Sequence, residues 1–139
     1  MTEITYTTDI RTVDWDQMKS TLANDEFDNG RSAEQLRRSF ENSQRCCIAL
    51  AEGRIIGTVR ALSDGVCNAY VVDVWTHSFF RRRGIGSRMV EILVDSFPGQ
   101  HVHLFSDVPE FYESMGFERH DVSLSKTSGT WLQNDTLAL

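Results

Sequence analysis

Apolar residues along this chain recur with two periods, and these periods predict where strands and helices lie. Residues 4–8 alternate apolar and polar side chains, as a strand does. Helical spacing begins after Asp14, a predicted N-cap, and again after Ser32, which can form a capping box with Gln35. The first third of the chain is therefore expected to hold a short strand and two helices, separated by the polar loop 24–31.

The middle of the chain has the pattern of a sheet. Residues 46–51 and 54–62 are rich in apolar and β-branched side chains, and Glu52-Gly53 between them is a tight-turn signal. After a second turn, residues 68–76 are nearly all apolar, as in a central strand that is covered on both faces. These three segments predict an antiparallel meander.

Helical periodicity returns after the glycines that follow the meander. Ile85, Met89 and Leu93 share one face of a predicted helix, which Pro98-Gly99 ends. Residues 101–105 then predict a short strand. A short helix follows, with Asp107 as its expected cap, Pro109 in its first turn, Glu110 as the capping-box partner and Gly116 at its end.

Two further strands are expected, one from Phe117 onward and a last one over residues 131–139. The predicted order is β-α-α-β-β-β-α-β-α-β-β. We find no repeat, linker or low-complexity segment, so residues 1–139 are expected to form a single domain. Its class is α/β (α+β), with one mixed, mostly antiparallel sheet and helices on both faces.

Composition restricts the kinds of partner. Apolar residues make up 40% of the chain and charged residues 24%, as in an ordinary globular domain. The sequence lacks an apolar run of about 20 residues and an N-terminal signal pattern, so we expect a cytoplasmic protein with no membrane partner. The net charge of −6 argues against nucleic acid, since phosphate binding requires surplus Lys and Arg.

The cysteines and histidines do not form a metal-binding pattern. The chain has three cysteines, Cys46, Cys47 and Cys67, and no CxxC motif, so we expect reduced thiols. The adjacent pair, Cys46 and Cys47, is expected to open a strand and to have a structural role. His101 and His103 project from one face of a predicted strand, but a third ligand is not evident. We therefore predict no metal.

The segment with the clearest chemistry is a buried strand that leads through three arginines and two glycines into a helix. The start of a helix has free backbone N–H groups and a partial positive charge, which together bind phosphate. Gly84 and Gly86 allow the backbone to approach a ligand closely. A nucleotide-binding domain is disfavoured, because Ser87-Arg88 stands where a Walker Lys-Ser/Thr pair would be and Met89 replaces the third glycine of a dinucleotide motif.

Two motifs make the chain resemble the GNAT superfamily of acyl-CoA N-acyltransferases. Residues 81–86, RRRGIG, match its Arg/Gln-x-x-Gly-x-Gly/Ala signature, and residues 73–78 are similar to the strand before it. Residues 111–117, FYESMGF, are similar to its second hallmark, a Phe-Tyr-Glu helix that ends in Gly-Phe. The resemblance extends over about residues 48–117 and includes the predicted order of elements.

The resemblance implies acetyl-CoA as co-substrate and no metal. Backbone amides of residues 82–87 would hold the CoA pyrophosphate, and the pantetheine arm would pair with a bulged strand that separates from its neighbour. A strand N–H near Thr76 would polarise the thioester carbonyl. The residues implied to bind CoA are Val74, Trp75, Thr76, Arg81, Arg82, Arg83, Gly84, Ile85, Gly86, Ser87 and Phe111.

Two positions depart from the family pattern. The family often has proline where Ser78 stands, a difference expected to alter only the loop. Many members carry an asparagine at the end of the next strand, where this chain has residues 105–107, FSD, in a shortened link. We therefore assign no pantetheine contact there.

Several side chains admit two interpretations. Tyr112 is either the general acid that the resemblance implies or a core aromatic. Asp73 is either a general base with a raised pKa or a structural acceptor for nearby backbone N–H groups, because an unpaired carboxylate is costly in an apolar strand. The acidic loop residues Asp25, Glu26 and Asp28 are either solvated or a binding site for an ammonium substrate.

The predicted function is N-acetyl transfer from acetyl-CoA to a primary amine of a small molecule or peptide. Transfer would be direct, within a ternary complex, by a monomer or homodimer. The alternative is a non-catalytic acyl-CoA-binding or regulatory module, and the presence of Tyr112 favours the enzyme. The identity of the acceptor is not encoded in any motif, because specificity in such folds lies in variable loops.

Overall fold

The computed structural model of the protein describes residues 2–130. Five strands, four α-helices and one 3₁₀ turn alternate in nearly the predicted order. They are β1 (Ile4–Thr7), α1 (Trp15–Asn24), α2 (Ala33–Glu41), β2 (Arg45–Ala51), β3 (Arg54–Ser63), β4 (Asn68–Thr76), the 3₁₀ turn Ser78–Phe80, α3 (Ile85–Val94), β5 (His101–His103) and α4 (Pro109–Glu113).

The strands form one sheet in the order β1-β2-β3-β4-β5. Neighbouring strands are antiparallel from β1 to β4, and only β4 and β5 run parallel. The predicted antiparallel meander and the mixed, mostly antiparallel sheet are therefore confirmed. Among residues 2–130, the helices are too short or too polar to cross a membrane.

Local capping fixes the first two helices as the sequence predicts. Asp14 Oδ1 accepts a hydrogen bond from the Gln17 backbone N–H at 3.0 Å. Ser32 and Gln35 form a complete capping box, each side chain bonding the other's backbone N–H. Both caps satisfy N–H groups that the start of a helix leaves free.

Apolar side chains form one core on each face of the sheet, which confirms the prediction of helices on both faces. On one face, α1 and α2 bury Met18, Leu22, Leu36 and Phe40 against Trp75. On the other face, α3 packs against the central strands. Its core comprises Cys47, Ala49, Ala51, Ile56, Val59, Ala61, Ala69, Val71, Ile85, Met89, Leu93 and Phe97.

The cysteines have the structural role that the sequence predicts. Cys46 and Cys47 are buried on opposite faces at the start of β2, while Cys67 is exposed, and all three are free thiols. Burial raises the pKa of Cys46 and of Cys47 to about 11. The buried pair is therefore protonated and unreactive near neutral pH.

Two predictions for the C-terminal third are wrong. Residues 117–130 form no strand, and their large apolar side chains Val122 and Leu124 are 83% and 88% exposed. A strand is stabilised by packing one face on a core, and residues 118–126 are exposed throughout. Asp107 does not cap α4 either: the N-cap is Val108, and no side chain accepts a helix N–H there. The last predicted strand, 131–139, lies outside the described residues.

A β-bulge interrupts β4 opposite Val59. Thr58 pairs with Trp75 and Arg60 with Val72, so two residues of β4, Asp73 and Val74, oppose one residue of β3. Asp73 has a φ of +56°, in the left-handed region. An extra residue in this conformation bends a strand and increases its twist.

Two arginines hold the bulge residue from different parts of the chain. Arg31, just before α2, donates to Asp73 Oδ2 at 2.8 Å, and Arg60 of β3 donates to the same oxygen at 2.9 Å. Burial would raise the pKa of Asp73, but the hydrogen bonds and charges of the two guanidiniums outweigh it and lower the pKa. The carboxylate stays ionised and offsets the cost of the strained backbone.

Gly57 lets α3 approach the sheet. A Cβ at this position would lie 2.8 Å from Met89 Cε and 3.2 Å from the Trp75 carbonyl oxygen. We expect Gly57→Ala to lower the free energy of unfolding by about 1–3 kcal/mol, as overpacking does. Urea unfolding of a double-mutant cycle with Met89→Ala checks the cause. Gly57→Ala should cost less in the Met89→Ala background, and an equal cost in both would contradict close packing at Met89.

We expect Asp73→Asn to lower the free energy of unfolding by about 1–2 kcal/mol near neutral pH, because both guanidiniums lose their anion. The folded pKa is lowered, so the contribution is complete above the ordinary value of 3.8 and is lost as pH falls through the folded pKa. The difference between the native protein and the variant should therefore shrink in urea titrations at about pH 3. Asp95→Asn, at an exposed position, is the control. An Asp73 difference that does not change with acid would refute the ion-pair explanation.

Candidate active site

A gap opens in the sheet beside the bulge. β4 and β5 pair only over Asn68–Tyr70 and His101–His103, although β4 continues to Thr76. Within residues 2–130, the β4 edge beyond Tyr70 has no strand on that side. Its backbone N–H and C=O groups are available to an extended ligand, which could pair as an added strand does.

The start of α3 faces the same gap. Gly84 is the N-cap, with a φ of +77°, and no side chain caps the helix there. The first intrahelical bond is from Arg88 N–H to the Gly84 carbonyl at 3.0 Å. The N–H groups of Ile85, Gly86 and Ser87 therefore have no acceptor inside the helix, which is the arrangement that binds phosphate.

Gly86 brings the helix start close to the end of β4. A Cβ on Gly86 would lie 3.3 Å from Thr76 Oγ1 and 4.0 Å from the ring of Phe111. A side chain here would fill the space between the helix and the strand end. The glycine therefore forms a cradle whose backbone is open to a ligand.

The three arginines of the RRRGIG motif differ in their contacts. Arg81 Nε donates to the Thr76 carbonyl at 3.1 Å, and Arg82 has a φ of +63°. The guanidinium of Arg83 lies over the ring of Phe80, 5.1 Å from its centroid, which is a cation–π contact. Arg81 and Arg82 line the gap, and Arg83 does not.

These elements enclose a cleft with a volume of about 620 Å³. Every residue implied to bind CoA lines this cleft except Arg83, and Tyr112 lines it as well. The wall is completed by four residues that no sequence motif indicated, Phe27, Phe80, Asp107 and Val108. Only Phe27 had a signal, as the lone apolar residue in the polar loop 24–31.

Tyr112 is a packed aromatic residue of the cleft wall, and its role as general acid stays a prediction. Its side chain is 8% exposed and packs edge-to-face on Phe111 and Phe117, with ring centroids 4.9 and 5.8 Å away. Burial raises the pKa of the phenol, and the nearby Asp107 raises it further. The hydroxyl is therefore protonated at neutral pH and can donate a proton into the cleft.

Asp73 does not fit the role of a general base. That interpretation required a raised pKa, whereas Arg31 and Arg60 hold the carboxylate and lower its pKa. Asp73 is a structural acceptor, as the other interpretation has it, but its donors are two guanidiniums in place of backbone N–H groups. Asp73 does not line the cleft and acts on the shape of β4.

The acidic loop is largely committed to internal contacts. Asp25 accepts hydrogen bonds from Trp75 and Ser78, and Asp28 is paired with Lys19. These contacts engage Asp25 and Asp28 within the fold, and ammonium binding by the loop stays an untested alternative. The exposed Glu26 is the remaining member of the cluster.

The histidines have local structural contacts. His77 Nδ1 accepts the Phe79 N–H at 3.1 Å and so caps the 3₁₀ turn. His103 lies 3.2 Å from the Asn68 side-chain oxygen. Across residues 2–130, no three His, Cys, Asp or Glu side chains are grouped as metal ligands would be.

Comparisons with known proteins agree with this geometry. The Acetyltransferase (GNAT) family matches residues 7–117. The structure of a proposed acetyltransferase from Deinococcus radiodurans R1 superposes with a TM-score of 0.78 at 25% identity, covering 91% of this chain and 93% of that one. The cleft thus lies in a fold that acetyltransferases share.

Two curated plant proteins are also similar to parts of the chain. The chloroplastic GCN5-related N-acetyltransferase 2 of Arabidopsis thaliana is 36% identical over 72 residues, which are 48% of this chain and 28% of that protein. The chloroplastic serotonin N-acetyltransferase 2 of rice is 32% identical over 96 residues, 63% of this chain and 48% of that protein. The chain thus spans less than half the length of these two relatives. With the family match over most of its length, the chain belongs to the GNAT family of acetyltransferases.

Proposed function

We propose that the protein is an acetyl-CoA-dependent N-acetyltransferase that acts on a primary amine of a small molecule or peptide. The observation that carries the proposal is the meeting of three features in one cleft. They are the uncapped start of α3, the β4 edge beyond Tyr70, which has no strand partner within residues 2–130, and the buried side chain of Tyr112. Each feature corresponds to one requirement of acyl transfer from CoA.

The residues of the cleft fit a pyrophosphate and an extended arm. The free N–H groups of Ile85, Gly86 and Ser87 would hold the phosphates, and Arg81 and Arg82 would add positive charge at the rim. The β4 backbone near Val74 and Thr76 would pair with the arm. Acetyl-CoA would supply the activated thioester, and the Thr76 N–H would donate to its carbonyl oxygen.

The reaction moves two protons: Tyr112 supplies the one that the thiolate gains, and the one that the attacking nitrogen loses passes to solvent water. A neutral amine attacks the thioester carbonyl directly, so no acyl group is transferred to the protein. Tyr112 would donate its proton to the departing thiolate, because its raised pKa keeps the phenol protonated. The proposal requires no metal and assigns no general base, since Asp73 is bound by two arginines.

The acceptor is proposed only as a class. One relative is named for serotonin, and a structurally similar protein from Arabidopsis thaliana is a glucosamine-6-phosphate N-acetyltransferase, whose 20% identity shows the fold alone. These acceptors share a primary amine and differ in everything else. We further propose that the protein is located in the cytoplasm and acts as a monomer or a homodimer.

We expect Gly86→Glu to abolish measurable binding of CoA while the fold survives. The variant places a bulky carboxylate between α3 and Thr76, where the phosphates would bind. Calorimetry with CoA measures the affinity, and circular dichroism checks the fold. Asn42→Glu, which adds the same charge at the exposed end of α2, is the matched control. Unchanged binding by a folded Gly86→Glu variant would reject the CoA site.

We expect Tyr112→Phe to lower kcat by about 10²-fold, the low end for general acid catalysis, because a thiolate is a tolerable leaving group. Affinity for acetyl-CoA should hardly change, since the ring and its packing remain. The native rate should fall at alkaline pH as Tyr112 ionises, above the ordinary pKa of 10.0 because its pKa is raised. This fall should be absent in the variant. Steady-state kinetics with an amine panel and detection of free CoA measure both effects.

Tyr6→Phe is the matched control for that experiment. Tyr6 lies on β1, outside the cleft, and burial raises its pKa as well. This control should keep the native kcat and the native alkaline fall. Full kcat with an unchanged alkaline fall in Tyr112→Phe would make Tyr112 a packing residue. If the protein binds CoA but releases no free CoA from acetyl-CoA with any amine of the panel, the non-catalytic module is favoured.

A further inference from the structure

Asp25 lies at the C-cap of α1, yet its side chain is directed to a different part of the chain. The side chain is only 9% exposed. Its hydrogen-bond partners, Trp75 and Ser78, are 50 and 53 residues further along. Neither helix capping nor the acidic loop requires these contacts.

Both carboxylate oxygens of Asp25 are used. Oδ2 accepts from Trp75 Nε1 at 2.9 Å and from the Ser78 backbone N–H at 3.1 Å, and Oδ1 accepts from the Ser78 hydroxyl. Burial would raise the pKa of Asp25, but the hydrogen bonds from Ser78 and Trp75 outweigh it and lower the pKa. The group is therefore a charged acceptor, which makes the stronger kind of hydrogen bond.

The same carboxylate reaches Arg81 at the rim of the cleft. Arg81 Nη2 lies 3.8 Å from Asp25 Oδ2, while Arg81 Nε donates to the Thr76 carbonyl. Asp25 therefore contacts the start, the middle and the end of the turn that links β4 to the α3 loop. Phe27, two residues after Asp25, stacks on Trp75 with ring centroids 6.4 Å apart and lines the cleft.

Ser78 makes this contact possible. It gives Asp25 both its backbone N–H and its hydroxyl. Proline, which the resemblance leads one to expect at this position, has no backbone N–H to donate. In this chain the turn thus lacks the rigid proline ring, and hydrogen bonds from Ser78 to the Asp25 carboxylate hold it in its place.

We propose that Asp25 is a positioning residue of the CoA site, which orders the turn 75–81 and orients Arg81 toward the bound phosphates. The inference rests on the proposed function. A turn that is ordered before the ligand arrives does not have to be ordered during binding, so affinity is gained without any contact between Asp25 and CoA. Asp25 also joins the α1–α2 loop to the turn 75–81 beside the proposed CoA site.

The test compares Asp25→Ala, Asp25→Asn and Ser78→Ala with Asp16→Asn, at an exposed position on the same helix α1, as the matched control. CoA affinity is measured by calorimetry, and KM and kcat by steady-state kinetics. The indole N–H resonance of Trp75 reports the hydrogen bond directly. Asp25→Ala should weaken CoA binding on the order of 10-fold, as loss of hydrogen bonds to a charged group does. It should raise KM for acetyl-CoA while kcat stays near native, and it should shift the Trp75 resonance.

The other variants separate positioning from folding. Asp25→Asn keeps an acceptor for Trp75 and should restore part of the affinity, even if Asp25→Ala fails to fold. Ser78→Ala should weaken CoA binding while the Trp75 resonance keeps its position, and Asp16→Asn should match the native protein. Native CoA affinity in folded Asp25→Asn and Ser78→Ala variants overturns the inference and leaves the proposed function standing. No CoA binding by the native protein overturns both.

Discussion

The cleft depends on one extra residue in β4. Asp73 has a left-handed backbone conformation, and together with Val74 it lies opposite the single residue Val59. Arg31 and Arg60 bind the Asp73 carboxylate and hold the bulge in place. A bulge bends its strand, and β4 leaves β5 after Tyr70. Without that separation the β4 edge would be covered by β5, and no backbone would be free to pair with a ligand.

The second wall depends on the absence of side chains where α3 meets the sheet. Gly57 makes room for Met89 beneath the helix, and Gly86 makes room for Thr76 at its start. The helix can therefore place its free N–H groups beside the end of β4. A bent strand and a close helix together give a cleft with a polar backbone on both walls, which suits a long, phosphate-bearing ligand.

The local pairing of charged side chains determines the electrostatics of the cleft more than the net charge of the protein does. The protein carries a net charge of −6, yet arginines form the rim of its cleft. The ionised Asp73 is paired with Arg31 and Arg60, and Asp25 is buried among hydrogen-bond donors. Both carboxylates are thus engaged in contacts within the fold, while the phenol of Tyr112 stays protonated at neutral pH.

The sequence by itself determined the features that depend on residues close together in the chain. These are the N-caps of α1 and α2, the antiparallel meander, and the glycine turn before α3. Those features follow from backbone preferences and short-range hydrogen bonds, which local patterns report directly. Only the tertiary structure decided the contacts of Asp73 and Asp25, because their hydrogen-bond partners lie as far as 42 and 53 residues away. It also overruled the strand predicted after Phe117. A carboxylate's pKa and a strand's pairing depend on what the fold places beside them, and distance along the chain does not encode that.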